Sequence, residues 1–250
     1  MILTNGRSGS NYLVDIINQH PSLYNYGEVL GSWSKKRKIK QFLRIEKEED
    51  YLQFILQNKV FFYLSQLFYF LKNRSLFKYK KPSYVTHTGI KEFGIHIQRL
   101  NLKHWLLNND NLQIIHLYRE NQLDRYISLF AMQSTGLVSS QKSSSKMKIT
   151  IDCNDLLNTL DIYEKEMEFQ FELANSVDSS RVMSLSYENL FYDENKNELI
   201  GQMFDFLGVP RIPLKERHKR ILSNELSEKI ENYSELVNAL QGTKYSKYLG

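Results

Sequence analysis

The 250 residues contain a single cysteine, Cys153. One thiol excludes an intrachain disulfide framework and falls short of the several ligands that a zinc site needs, and a reducing cytoplasm is the expected compartment. The N-terminus lacks the apolar stretch of a secretion signal, because Met1-Ile2-Leu3 runs at once into Gly6 and Arg7. No apolar run reaches the roughly 20 residues of a membrane span. The longest, Val60 to Leu71, reads as a buried or interfacial helix and leaves room only for peripheral membrane contact. A large excess of one charge is also missing. With 33 Lys and Arg against 28 Asp and Glu, the net charge of +5 suits a protein that handles a small anion and argues against a nucleic-acid coat.

The 42% hydrophobic and 13% aromatic content is enough for one substantial core, so a single domain spanning residues 1–250 is expected. The chain opens with a short apolar strand (Met1 to Thr4), a Gly-containing loop, and a helix with Leu13, Ile16 and Ile17 on one face, stopped by Pro21. Further strands are expected at Tyr84–Lys91, Leu112–Tyr118 and Arg181–Ser186. Helices are expected at Ile95–Asn108, Gln122–Ser134, Asp152–Ser176 and Glu194–Leu207. Strands separated by long helices predict an α/β fold with a P-loop-like parallel sheet flanked by helices on both faces. Residues 35–81 read as a helical insertion or cap, its basic run Lys35-Lys36-Arg37-Lys38 as a solvated loop, and the Ser-rich stretch at about 135–148 as a flexible loop.

Two motifs carry chemistry. The first, Thr4-Asn5-Gly6-Arg7-Ser8-Gly9-Ser10-Asn11, stands where a strand passes into a helix. Glycines let successive N–H groups converge, and a helix N-terminus adds unpaired donors, so an oxyanion can sit there. A nucleoside-triphosphate loop would end in Gly-Lys-Ser or Gly-Lys-Thr, and the chain contains neither, so Arg7 must supply the cation. The plain alternative is a tight connection. The second motif runs from Ile114 to Ser128: a strand delivers Arg119 to its end and a helix then carries Ser128. Together they can hold a monoester phosphate. Equally, Arg119 can cap the strand and pair with Glu120 or Asp124.

Gly6-Arg7-Ser8-Gly9-Ser10 followed by Leu13, His20-Pro21 and Gly27-Glu28 resembles the 5′-phosphosulfate loop of bacterial sulfotransferases, including their carbohydrate-sulfating branch. Arg119 with Ser128 resembles the 3′-phosphate motif of that family. Leu185-Ser186-Tyr187-Glu188-Asn189-Leu190 and Phe204-Asp205-Phe206-Leu207-Gly208-Val209-Pro210 are similar to its Tyr-Glu-Asp-Leu strand and Phe-Leu-Gly-Val helix end, and Ile230 to Tyr233 to its C-terminal part. Residues 35–81 match nothing in the family. Asn11 departs from it where Thr or Ser is common, and the abrupt start leaves little room for a full first strand, an expectation that the true start lies upstream.

The resemblance implies transfer of a sulfuryl group from 3′-phosphoadenosine 5′-phosphosulfate (PAPS) to a hydroxyl of a carbohydrate or other small-molecule acceptor, with no metal required. In that reading Gly6, Arg7, Ser8, Gly9, Ser10 and Asn11 hold the 5′-phosphate and sulfuryl group. Arg119 and Ser128 select the 3′-phosphate. Glu28 takes the acceptor proton, or else caps the next helix. His87 and His96 are the reserve bases, and Lys91 either assists the leaving oxygen or is solvated. The competing readings are a nucleotide-dependent phosphotransferase and an inactive nucleotide-binding module; acceptor and oligomeric state stay open.

Overall fold

A computed structural model describes residues 1–73, 80–135, 148–215 and 226–249. The flexible loop expected at about 135–148 lies, but for its end residues, outside the described residues.

In chain order the elements begin with β1 (Ile2–Thr4), α1 (Ser10–Gln19) and β2 (Leu23–Asn25), followed by α2 (Arg37–Phe42), α3 (Glu48–Gln57) and α4 (Lys59–Asn73). Next come β3 (His87–Gly89), β4 (Lys91–Phe93), α5 (Gly94–Arg99), α6 (Lys103–Asn108), β5 (Ile114–Tyr118) and α7 (Gln122–Thr135). The last part holds α8 (Leu156–Ser176), β6 (Val182–Ser186), α9 (Tyr187–Tyr192), α10 (Lys196–Phe206), α11 (Leu226–Lys229) and α12 (Tyr233–Leu240). Strands β4, β1, β5 and β6 form one parallel sheet in that order, and β2 pairs with β3 in a second, two-stranded one.

Alternation along these short strands feeds two cores. Ile2, Ile115 and Leu117 face α1, α9 and α10, where Leu13, Ile16, Leu190, Met203 and Phe204 are buried. Leu3 and Ile114 face the other way, onto Ile97, Leu106 and Leu173 of α5, α6 and α8 and onto Tyr51 and Ile55 of α3. The expected parallel sheet covered on both faces is thus the observed fold. A third cluster joins Leu123 and Ile127 of α7, Leu156 and Leu160 of α8, and Leu236 and Leu240 of α12.

Three local expectations change. The strand expected over Tyr84–Lys91 divides at the buried Ile90: β3 pairs with β2, whereas Ile90 accepts a hydrogen bond from the Ile2 amide and hands the chain to β1 as β4. The helix expected over Ile95–Asn108 breaks at Asn101, which adopts left-handed φ of 52°, a conformation Asn tolerates better than most residues. The basic run does not form a solvated loop but leads into α2. Lys36 Nζ donates to the carbonyl of Tyr26 at 2.6 Å, Arg37 pairs with Glu48, and Lys40 adds a third contact to Glu48 at 2.7 Å. Lys35 and Lys38 alone of the run are exposed.

Candidate active site

In open parallel sheets, ligands bind outside the carboxyl ends of the strands, where neighbouring connections diverge. Here β1 and β5 are adjacent, and each is followed by one of the two sequence motifs. The loop after β1 turns through two left-handed residues, Arg7 at φ 65° and Gly9 at φ 77°. A side chain at Gly9 has no room: its Cβ would lie 2.6 Å from the Phe191 ring and 2.9 Å from that of Tyr187. The loop is pressed against α9 and feeds α1, where the Gly9 carbonyl accepts from the amides of Tyr12 and Leu13 and the helical pattern supplies no acceptor for those of Ser10 and Asn11.

Arginines organise this loop from the side of β5 and α7. Arg119 donates through Nη1 to the carbonyl of Arg7 at 3.2 Å, through Nη2 to Asp124 at 3.0 Å, and lies 4.1 Å from the centre of the Tyr187 ring. Arg125 donates to the carbonyl of Gly6 at 3.0 Å, pairs with Glu166 and lies 3.8 Å over Tyr163. With both carbonyls held, the planar peptides fix the opposite direction of the following N–H groups. Arg125 is the residue that sequence reasoning passed over; it stood six positions after Arg119 in the same motif.

Arg7 itself reaches Ser128, Nε to Oγ at 3.0 Å, and donates to the Met132 sulfur at 3.5 Å. Residues assigned from sequence to opposite ends of a donor therefore touch. Burial, and then the charge of Arg119, push the Arg7 guanidinium below its ordinary value, with Tyr187 acting in the other direction. Among the described residues, Ser8 Oγ and Arg119 Nε are buried without a hydrogen-bond partner. The pairing of Arg119 with Asp124 that sequence offered as an alternative is present, yet occupies only one of its nitrogens.

A second cluster stands where the chain wraps the edge strand β4. The Lys91 amide donates to the Gly27 carbonyl at 3.1 Å, which lays residues 27–30 along the edge. Because successive side chains of a strand point to opposite faces, Lys91 and Glu92 take different partners. Lys91 is buried rather than solvated, with Nζ 2.5 Å from Glu28 and 3.0 Å from the Asn11 side-chain oxygen. Asn11, the departure from the family pattern, thus holds a lysine. The fully buried Glu92 accepts from the amides of Val29 and Leu30 and contacts His96 Nδ1 at 2.7 Å.

Glu28 also accepts from the Trp33 indole at 2.6 Å. Burial pushes its pKa up, but the hydrogen bond and charge of Lys91, the indole of Trp33 and the charge of His96 together outweigh it, so the carboxyl ends below the ordinary glutamate value. Of the reserve bases, His96 packs 5.1 Å from the Trp33 ring beside Glu28, whereas His87 lies exposed on β3 with its ring nitrogen on Thr86.

The remaining motifs are scaffolding for these clusters. Glu188 accepts from the amides of Glu120 and Asn121, fixing the turn after Arg119. Gly208 at φ 66° ends α10, and the Val209 amide reaches back to the Phe204 carbonyl at 3.0 Å. His20 accepts from the Ser22 amide at Nδ1, so its Nε2 donates to the Pro210 carbonyl at 2.9 Å, tying the end of α1 to that turn.

No family model matches the chain. It is similar to Nodulation protein H of Rhizobium meliloti, 23% identical over 256 residues that cover 99% of this chain and 93% of that one. The Rhizobium tropici protein of the same name is 22% identical over 99% of this chain and 91% of its own length. Among solved structures, a sulfotransferase domain from the curacin biosynthetic pathway aligns with a TM-score of 0.47 at 17% identity, covering 85% of this chain and 74% of that one. Mouse sulfotransferase SULT7A1, complexed with PAP, aligns with 0.42 at 10% identity, covering 99% and 85%. The chain is thus similar over 99% of its length to Nodulation protein H.

Proposed function

We propose that the protein is a sulfotransferase that moves a sulfuryl group from PAPS to a hydroxyl of a carbohydrate or other small molecule. The observation that carries this reading is the junction of the two motifs. Arg7, Arg119 and Ser128 are linked by hydrogen bonds, and Ser8 Oγ and Arg119 Nε are buried without partners among the described residues. Each such orphan costs about 1–3 kcal/mol, and a phosphate or sulfate oxygen supplies the missing acceptor. Two guanidiniums held side by side favour a doubly charged anion for the same reason.

In this reading the amides of Gly6 to Asn11, with Ser8 and Ser10, hold the 5′-phosphosulfate. Arg119 and Ser128 hold the 3′-phosphate, and Arg7 lies between the two ends. At the sheet edge Glu28 accepts the proton of the acceptor hydroxyl as that oxygen bonds to sulfur. The bond from sulfur to the bridging oxygen breaks, its electron pair leaves with the 5′-phosphate, and Lys91, released from Glu28 by the proton, faces the developing charge. The chain is one domain, with residues 35–81 as an insertion.

The test is incubation with sulfur-labelled PAPS and an extract of host metabolites, followed by a mass search for a sulfate gain. Label in a hydroxyl compound is the expected result. Tight PAP binding without transfer would instead make the protein a nucleotide-binding module, and neither binding nor transfer would remove the reading altogether.

A further inference from the structure

Over its described side chains, helix α4 is apolar both inward and outward. Inward, the buried rings of Phe61 and Phe62 lie 5.2 Å from Tyr26 and 5.1 Å from Tyr24. Outward, Val60, Tyr63, Leu64 and Leu67 are 65%, 52%, 59% and 53% exposed. Their spacing of three, four and seven residues forms one stripe along the helix, where a surface helix ordinarily carries polar groups. Lys59 is the one polar residue exposed among the described side chains of α4.

We propose that this stripe docks the protein on an anionic lipid surface. The stripe is not a detached flap: the Gln66 side chain exchanges two hydrogen bonds with the backbone of Lys80, and Lys80 Nζ donates to the carbonyl of His20 at 2.8 Å. The helix is thereby fastened to the body with its apolar row turned outward. At 15 residues it is too short to span a bilayer, and its length and composition suit a helix lying in the interface.

Charge selects the partner. Residues 33–84 carry thirteen Lys and Arg against four Asp and Glu, while the rest of the chain carries twenty against twenty-four. The whole positive excess therefore resides in the segment that contains the stripe. A two-fold dimer through this face would set two such basic segments against each other, whereas phosphatidylglycerol or phosphatidylserine headgroups neutralise them. Apolar insertion and headgroup attraction act on the same segment.

The experiment is co-flotation of the whole protein with vesicles of phosphatidylcholine alone and of phosphatidylcholine mixed with phosphatidylglycerol, with light scattering on the lipid-free protein. The expected result is flotation with the anionic vesicles, weaker with neutral ones and weaker at raised salt. Leu64→Glu/Leu67→Glu, with an unchanged circular dichroism spectrum, should bind at least about tenfold more weakly. Wild-type protein that stays with the aqueous phase overturns the proposal, as does undiminished flotation of the variant. A lipid-free dimer that the same double substitution converts to monomer would assign the stripe to self-association instead. PAP binding, measured alongside, reads the donor site separately.

Discussion

Around the loop after β1, Arg119 and Lys229 meet Asp124, Arg125 meets Glu166 and Arg7 donates to Ser128, whereas at the sheet edge Lys91 meets Glu28 and Glu92 meets His96. Among the described residues, the first region leaves two buried donors, Ser8 Oγ and Arg119 Nε, without acceptors. The second is internally matched, each charged group answered by a neighbour. The difference separates two tasks. An excess of oriented donors suits binding a highly charged ligand, while a matched pair such as Glu28 and Lys91 suits moving a proton with little change in net charge. The proposed chemistry needs both, joined by the first turn of α1, whose Asn11 side chain holds Lys91.

The largest effect expected from breaking this contrast lies at the matched edge. General-base catalysis typically contributes about 10²–10⁴-fold, so Glu28→Gln should lower kcat by that order while PAP binding measured by calorimetry stays near wild type. Unchanged turnover with a lowered melting temperature would make Glu28 a structural partner of Trp33 and Lys91, and would shift attention to His96. On the cationic side Arg7→Ala should reduce transfer by about 10²–10³-fold, as loss of a charge-stabilising donor does, with the circular dichroism spectrum unchanged. Unfolding of that variant would show the guanidinium to be needed for the loop's shape instead.

Smaller, and confined to binding, is Arg119→Ala. Losing hydrogen bonds to a charged group should cost about 1.5–3 kcal/mol of PAP affinity, read by calorimetry, and little of the affinity for a nucleotide without a 3′-phosphate. Equal losses for both ligands would mean that Arg119 acts only by holding the Arg7 carbonyl. The smallest effect concerns stability against pH. Burial pushes His116 down to about 4, below its unfolded value, so the unfolded chain binds the extra proton first. Stability is then fully present above the ordinary histidine value and falls as pH drops from there towards 4. His116→Leu should flatten that slope in urea melts at successive pH values. Glu28, lowered in the fold, adds a contribution present above the ordinary glutamate value and lost as pH falls below it.

Much of the architecture was legible because it rests on local periodicity. The buried face Leu13, Ile16, Ile17 announced α1, and the apolar run of β5 announced a central strand. The two loops at the carboxyl ends of β1 and β5 followed from glycine placement and from order along the chain. What sequence did not reveal depends on contacts between distant residues. The three-residue β2 is shorter than any periodic signal and exists because β3 pairs with it. Lys91 reads as a surface lysine until the wrap of residues 27–30 buries it, and Arg125 reads as a helix-surface charge until Gly6 comes within its reach. The Glu92 and His96 pair was invisible for the same reason, since its other partners are backbone amides more than sixty positions away.

The donor proposed for this site is a nucleotide with phosphate at both ends of its ribose. Calorimetric titration of the wild-type protein with PAP, AMP and ATP under one buffer tests this most directly, needing neither acceptor nor turnover. PAP should bind at least about tenfold more tightly than either of the others, the margin that a set of charge-assisted hydrogen bonds to the 3′-phosphate supplies. Equal affinity for all three would contradict the assignment of Arg119 and Ser128, and with it the sulfuryl donor.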